Sequence, residues 1–250
     1  VNEKIRNIMK KLITTIAFIA LSTVSAKAID MEMFSITGGL AANESVFGAS
    51  AKQDDYNAAG TTIETSDEEH GAFTESFSSQ FVELGIGRWI SVGFEHVPDS
   101  ISTPQNINSN RGTEGNITRS DTAQVSVDFN DMNTTYLKLN TPMGIYFKWG
   151  NVSTDLDIKE TMASGHTYKN TSVDGTSTGV GYQKVLGERG FGFRLEGNYV
   201  ELDNVTVNNG VTKTSGTGIK NFKEIKAKNL EGLTAKVALT YTFGRSGNSF

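Results

Sequence analysis

The 250-residue chain has no cysteine, only 3 prolines and no apolar run long enough for a transmembrane helix. The absence of cysteine excludes disulfide scaffolds, thiolate metal sites and cysteine nucleophiles. A spanning helix needs about 20 apolar residues, so any part of the mature chain that crosses a membrane must do so as strands. Basic residues are also in deficit, with a formal net charge of -5. Phosphate binding needs a basic surface, so we expect no nucleic-acid partner.

Glycine, by contrast, is abundant, with 26 residues among many threonines, serines and asparagines. This composition favours short strands and tight turns over long helices. The mean hydropathy of -0.30 is typical of a soluble protein. A membrane β-barrel gives a similar average, because only alternate residues of its strands meet lipid.

The N-terminal segment has the three parts of a secretory signal peptide. A basic start at Met9-Lys10-Lys11 precedes the apolar run Leu12–Leu21, and an Ala-x-Ala sequence ends at Ala28. We expect cleavage after Ala28, so that residues 1–28 are a signal peptide with an upstream extension over residues 1–8. Residues 29–250 then form the mature domain. The alternative is an N-terminal core helix or membrane anchor.

The mature chain shows period-two alternation in eight segments, which predicts eight strands. Three connections are turns of a few residues: Gly87-Arg88-Trp89, Thr141–Gly144 and Gly187–Gly190. The other four are long and polar, and we expect them to be loops over residues 43–77, 98–121, 155–172 and 203–223. Long and short connections alternate strictly, which places all long ones at one rim of an up-and-down meander. Bacterial outer-membrane barrels segregate their loops in this way.

The two faces of each predicted strand differ in a way that indicates which one meets lipid. One face carries large apolar residues, such as Val82 and Leu84 or Phe147 and Trp149. The opposite face carries glycines together with Glu83, Glu95, Lys138, Lys148, Gln183, Arg194, Glu196 and Lys236. Eight strands enclose only a modest layer of side chains. Large residues outside and charged residues inside therefore favour an inverted barrel in lipid.

The inward charges nearly balance, which predicts a network of ion pairs across the lumen. Such a network plugs the lumen, and open aqueous channels belong to barrels of about 16 strands or more. Aromatic residues fall where an interfacial girdle needs them. Trp89, Phe191, Tyr241 and Phe243 lie near the turn rim, and Phe94, Trp149 and Tyr199 lie further along.

Three segments carry a family resemblance. Residues 81–95 resemble the first hairpin of small outer-membrane β-barrels of the opacity-protein and OmpA-like type, and residues 191–199 resemble their penultimate strand. Val237–Phe243 resembles the final-strand signal of that family. The family usually ends on this aromatic residue, whereas this chain continues to Phe250. Either Phe243 or Phe250 can therefore serve as the signal.

The resemblance implies an all-β fold, an eight-stranded antiparallel up-and-down transmembrane β-barrel in the outer membrane. It also implies partners: outer-membrane lipid, lipopolysaccharide and the barrel-assembly machinery during insertion. We expect a monomer with no room for an additional soluble domain. The ligand of its surface loops cannot be named from the sequence.

Candidate chemistry is sparse. The histidines are His70, His96 and His166, and only His96 has a conceivable catalytic partner nearby, in Ser91 or Asp99. The acidic groups Asp67-Glu68-Glu69 and Asp54-Asp55 lack the spacing of a calcium loop. We therefore assign no catalytic, cofactor-binding or metal-binding residue and expect no enzymatic activity.

Four functions remain open. The leading one is a structural or surface-interaction role through the four long extracellular connections. The alternatives are a narrow channel for ions or small solutes, a barrel enzyme acting on lipid or peptide, and a secreted soluble β-protein of lipocalin type.

Overall fold

The computed structural model describes residues 34–57, 61–114, 117–161, 168–187, 189–210 and 222–244. The predicted signal peptide, His166 and Phe250 lie outside these residues. The described residues form strands joined by turns and short irregular segments: β1 (Phe34–Tyr56), β2 (Ile63–Ile86), β3 (Ile90–Val97), β4 (Ile101–Ser102), β5 (Asn106–Glu114), β6 (Ile117–Asn140), β7 (Ile145–Thr161), β8 (Thr171–Val185), β9 (Phe191–Leu202), β10 (Val205–Asn208) and β11 (Lys223–Phe243). No helix in this part of the chain is long and apolar enough to cross a membrane.

Eight of these strands close into a ring. Neighbours pair antiparallel in the order β1, β2, β3, β6, β7, β8, β9 and β11, and β11 returns to pair with β1. The closing register runs from Ile36 opposite Phe243 to Asp55 opposite Lys223. The eight-stranded antiparallel up-and-down barrel expected from the sequence is confirmed within the described residues.

All three predicted short turns lie at one end of the barrel, which we call the turn end. They join β2 to β3, β6 to β7 and β8 to β9. The turn before β7 contains Gly144 with a φ of 82°, a left-handed conformation that glycine adopts without strain. The opposite end, which we call the far end, carries the longer connections. The predicted segregation of connections is therefore present.

The secondary structure expected for the long connections is wrong. Most of residues 43–77 is strand rather than loop, since β1 runs to Tyr56 and β2 begins at Ile63. The other three predicted loops likewise contain strand residues: β4, β5 and the start of β6 in one, the end of β7 in the next and β10 in the last. Most residues of these segments are polar, so the sequence shows little apolar alternation in them.

These segments extend the barrel wall at the far end. We call this wall the far extension, formed by β4, β5 and β10 with residues 49–56, 63–79, 117–130, 157–161 and 223–229. β4 and β5 continue the line of β3 along β6, and β10 continues β9 along β11. Two bulges mark its base, at Asp131 in β6 and Asn229 in β11, both with φ just above 50°. Bulges of this kind bend a strand and increase its local twist.

Candidate functional site

The outward face of the barrel is apolar. Leu239 is 75% exposed, and the other outward side chains of its strand, Leu233, Val237 and Tyr241, are also exposed. The predicted aromatic residues Trp89, Phe191, Tyr241 and Phe243 are exposed near the turn end, and Trp149 and Tyr199 further along. A continuous exposed apolar surface of this kind marks a membrane contact rather than a surface in water.

The inward face carries the charges. Glu83, Lys138 and Arg194 are each at most 2% exposed, although they lie on β2, β6 and β9. Glu83 Oε2 accepts from Lys138 Nζ at 2.5 Å and from Arg194 Nη2 at 2.7 Å, and Glu83 Oε1 accepts from the Tyr136 hydroxyl at 2.7 Å. Gln183 Oε1 accepts from the same two cations. We call these residues the lower network, because they lie nearer the turn end.

A second group lies next to it, towards the far end. Lys148 Nζ and Lys236 Nζ both contact Glu196 Oε1, at 2.6 and 3.0 Å, and both also contact Glu95, at 3.2 and 2.5 Å. The Tyr146 hydroxyl donates to Glu196 Oε2 at 2.5 Å. We call this group the upper network. The predicted cross-barrel ion pairs are thus present, and they pair every inward carboxylate that the sequence analysis named.

Glycines make room for the tyrosines of these networks. A Cβ atom on Gly93 would lie 2.3 Å from Cζ of Tyr136, and one on Gly181 would lie 2.3 Å from Cζ of Tyr146. Both rings can therefore lie against the wall and reach the carboxylates across the lumen. Cations stack on them, with Lys148 Nζ 4.7 Å from the Tyr136 ring centre. These inward glycines thus make room for larger neighbours.

Beyond the networks the lumen is filled by an apolar layer. Val97, Ile101, Met132 and Val152 are buried, and Phe47, Phe73, Phe77, Phe129, Val200 and Leu202 pack against them. Several of these side chains come from segments predicted to be loops. The layer stabilises the base of the far extension, because each fully buried side chain contributes about 1.5–3 kcal/mol.

A closed ring with lipid-facing residues outside and paired charges inside is the inverse of a soluble barrel. The chain is an eight-stranded β-barrel of the outer-membrane type. No family model matches its sequence, and no curated protein matches it significantly.

Solved structures that this barrel is similar to include three outer-membrane proteins. One is OprG from Pseudomonas aeruginosa, with 11% identity, a TM-score of 0.43, and coverage of 84% of this chain and 95% of that one. Another is AlkL in lipid bilayers, with 14% identity, a TM-score of 0.44, and coverage of 89% and 96%. The outer-membrane protease OmpT from Escherichia coli has 10% identity and a TM-score of 0.37, and covers 82% of this chain and 97% of its own. Similarity at this level assigns no activity, and the barrel type rests on the pairing and faces of this chain.

The barrel separates the histidine and serine that the sequence analysis weighed as catalytic partners. His96 faces outward and contacts Asn133 Oδ1 through Nδ1 at 2.9 Å. Ser91 lies five residues away on the inward face of β3 and accepts from Asn140. Asp99 instead accepts from the backbone and hydroxyl of Ser78, and these bonds lower the pKa of its carboxyl.

Another serine and histidine do meet in the far extension. Ser50 and His70 are register partners on β1 and β2, and their Oγ and Nδ1 atoms are 2.8 Å apart. His70 Nε2 is 4.0 Å from Glu68 Oε1, which is too long for a hydrogen bond. The side chains of Glu68 and His70 are exposed, and Ser50 is half-buried. Sequence reasoning missed the pair because residues 43–77 were expected to be a loop.

The acidic residues of the far extension are not arranged as a metal site. Asp54 and Asp55 pair with Lys226 and Lys223, at 3.3 and 2.8 Å. A hydrogen bond from the Ser66 hydroxyl, with Lys52 and Lys226 nearby, lowers the pKa of Asp54. Within the described residues, no group of three or more histidine, aspartate or glutamate side chains is placed to hold a metal ion.

Proposed function

We propose that this barrel lies in the outer membrane and uses the free edge of β2 in the far extension to bind an extended, positively charged segment of a partner protein. The binding mode is strand addition, in which the partner segment forms a ladder with an exposed sheet edge. The observation that carries the proposal is the unequal pairing of β2. This role is the surface-interaction function favoured from the sequence, but the binding surface is a strand edge rather than the loops expected there.

The backbone of β2 is paired on both sides only near the turn end. It pairs with β3 from Gln80 to Ile86, whereas its pairing with β1 continues to Ile63. β4 and β5, which follow β3 in the chain, pair with β6 instead. Among the described strands, none pairs with residues 63–79 on the side away from β1. That edge therefore presents unpaired backbone donors and acceptors.

The direction of the free donors follows from one contact. The Ser78 backbone N–H donates to Asp99 at 2.9 Å, so it points away from β1. The β1–β2 register is regular from Ile86 to Thr65. Because N–H directions alternate along a strand, those of Ala72, Thr74 and Ser76 also point to the free edge. Asp99 covers the end of this edge at Ser78, and the Asn106 side chain of β5 donates to the Glu69 carboxylate, but no described strand pairs with the backbone between them.

The charge of the edge favours a basic partner. Glu64, Asp67, Glu68 and Glu69 all lie within eight residues of β2 and are exposed. Among the residues whose side chains the structure describes, which leave out 107–123, no lysine or arginine forms an ion pair with any of them. The acids of β1 differ, because Asp54 and Asp55 have lysine partners. A positively charged strand would supply the missing cations.

A synthetic peptide of alternating lysine and threonine is a suitable probe, with a glutamate and threonine peptide as control. The full mature protein in non-ionic detergent should bind the basic peptide saturably, measured by fluorescence anisotropy, and should not bind the acidic one. Ala72→Pro removes one free-edge donor, and proline is tolerated where the N–H faces away from the ladder. Loss of about 1 kcal/mol should weaken binding about fivefold.

The matched control is Ala72→Ser, which keeps the backbone donor and should leave the affinity unchanged. Exchanging Asp67 and Glu68 for their amides should also weaken binding and reduce its dependence on salt. The proposal fails if the basic peptide shows no saturable binding. It also fails if Ala72→Pro binds as tightly as the parent protein.

Two alternatives are less well supported. Each cation of the two networks is at most 5% exposed, so the lumen at this level is filled by side chains and offers no continuous path to solutes. The Ser50, His70 and Glu68 group lacks a hydrogen bond between base and acid, which a hydrolase uses to orient its histidine. Neither channel nor hydrolase function has a specific observation in its favour.

A further inference from the structure

The turn end of the barrel holds a cavity of about 470 Å³. Its inner wall includes Glu83, Ser91 and Lys138, and residues around its mouth include Arg88, Lys184 and Arg189. This lining has four cationic residues and one carboxylate. Residues of the lower network form its floor, and the two networks together separate it from the apolar layer. We call this cavity the vestibule.

The charges of the interior are not evenly compensated. In the upper network, Lys148 and Lys236 share Glu95 and Glu196, so two cations face two carboxylates. In the lower network, Lys138 and Arg194 share the single carboxylate of Glu83. One positive charge is therefore left over, and it lies at the floor of the vestibule. A buried charge without a counter-charge is costly.

Hydrogen-bond donors at this floor are also left over. The Lys138 ammonium has three donors, of which the described contacts to Glu83 and Gln183 use two. Arg194 does not line the cavity itself, but its Nε, in the same network, is also buried and has no partner among the described residues. Ser91 lies opposite Lys138 in the register of β3 and β6, and its oxygen accepts from Asn140, so its own hydrogen remains free to donate.

From this surplus of buried positive charge and free donors, we propose that the vestibule binds an oxyanion, such as a phosphate or carboxylate group, held by Lys138 and Ser91 and attracted by the basic residues of the mouth. The anion supplies the counter-charge that the lower network lacks. It enters from the turn end, so it comes from the compartment opposite to the one that the far extension faces. The site is separate from the β2 edge and does not depend on its function.

Inorganic phosphate is the probe, added to the mature protein in a phosphate-free maltoside detergent and followed by calorimetry. We expect one saturable site. Lys138→Gln should weaken binding at least tenfold, because it removes the excess charge and a charged donor. It leaves Glu83 paired with Arg194, so the barrel should still fold. Ser91→Ala keeps every ion pair and should weaken binding about fivefold, the equivalent of one neutral hydrogen bond.

Lys228→Gln is the matched control, since it makes the same change of net charge at an exposed position of the far extension. It should leave phosphate binding unchanged. Phosphate binding to the barrel in nanodiscs distinguishes a soluble anion from a lipid headgroup as the natural ligand. If phosphate binds as tightly in discs with phosphatidylglycerol as in discs of phosphatidylcholine alone, the ligand is a soluble anion. If phosphatidylglycerol weakens binding, the occupant is a lipid headgroup, and the oxyanion site is supported in both cases.

Two results would overturn the proposal. One is the absence of saturable phosphate binding in the parent protein. The other is an equal loss of affinity in Lys138→Gln and Lys228→Gln, which would reduce the effect to net charge.

Discussion

Replacing Glu83 with glutamine tests the energetics of the lower network most sharply. The side chain keeps its shape, but Lys138 and Arg194 lose the only carboxylate that joins them, and they remain at most 2% exposed. Removing one partner of a buried ion pair costs about 3–5 kcal/mol, because an uncompensated charge stays buried. We expect Glu83→Gln to lower the free energy of unfolding by this amount, towards the upper end because two like charges then face each other.

The companion variant Lys138→Gln should behave differently, although it breaks the same contact. Glu83 then keeps Arg194 at 2.7 Å and the Tyr136 hydroxyl at 2.7 Å, and the pair is balanced in charge. We expect a cost below about 2 kcal/mol, since no charge is left unpaired. The exposed variant Glu64→Gln is the control for a change of net charge.

Reversible urea unfolding in lipid vesicles, followed by tryptophan fluorescence, measures all three variants. The reasoning is refuted if Glu83→Gln costs less than about 1 kcal/mol, the value of an ordinary neutral hydrogen bond. It is equally refuted if Lys138→Gln destabilises the barrel as much as Glu83→Gln does.

Three further predictions concern other parts of the barrel. Gly93→Ala should lower the free energy of unfolding by about 1–3 kcal/mol, because the added Cβ overlaps the Tyr136 ring. In the control Gly197→Ala, the added Cβ meets no atom within 4 Å, so stability should be nearly unchanged. Urea unfolding measures both variants. Val237→Lys places a charge on the lipid-facing surface and should reduce stability in vesicles by about 2–4 kcal/mol; unchanged stability would argue against lipid contact at this position. The pKa of Asp54 is lower in the folded barrel than in the unfolded chain, so its ionised form stabilises the far extension. This stabilisation is complete above the unfolded-state pKa and should be lost as pH falls below about 4. Hydrogen exchange of β1 should show this loss in the parent protein and a weaker one in Ser66→Ala, and identical pH profiles would contradict it.

The alternation of side chains was enough to predict which face of each strand meets lipid. Glu83 and Lys138 lie inside, and Val237 and Leu239 lie outside, as period-two reading requires. Lipid on one side and a narrow lumen on the other make this pattern strict. The partner of each charge could not be predicted in the same way. Arg194 reaches Glu83 across the lumen from another strand, and only the stagger of the closed ring sets that contact.

The strands of the far extension were not predicted from the sequence, for a different reason. Residues 63–72 of β2 are exposed on both faces, so hydrogen bonding to β1 is enough to make them a strand without any apolar alternation. A polar strand of this kind looks like a loop in the sequence. The Ser50–His70 contact and the free edge of β2 both depend on the unpredicted pairing, so neither could be found before the register was known.

The central claim is that alternate residues of one closed ring face lipid and a charged lumen. The absence of cysteine allows a direct test by single-cysteine nitroxide labelling of β11 from Leu233 to Tyr241 in lipid vesicles. We predict that collision with oxygen, measured by power saturation, is high at Leu233, Ala235, Val237, Leu239 and Tyr241 and low at the four residues between them. Uniform values along the strand, or high collision with a water-soluble nickel reagent at the outward positions, would contradict the account.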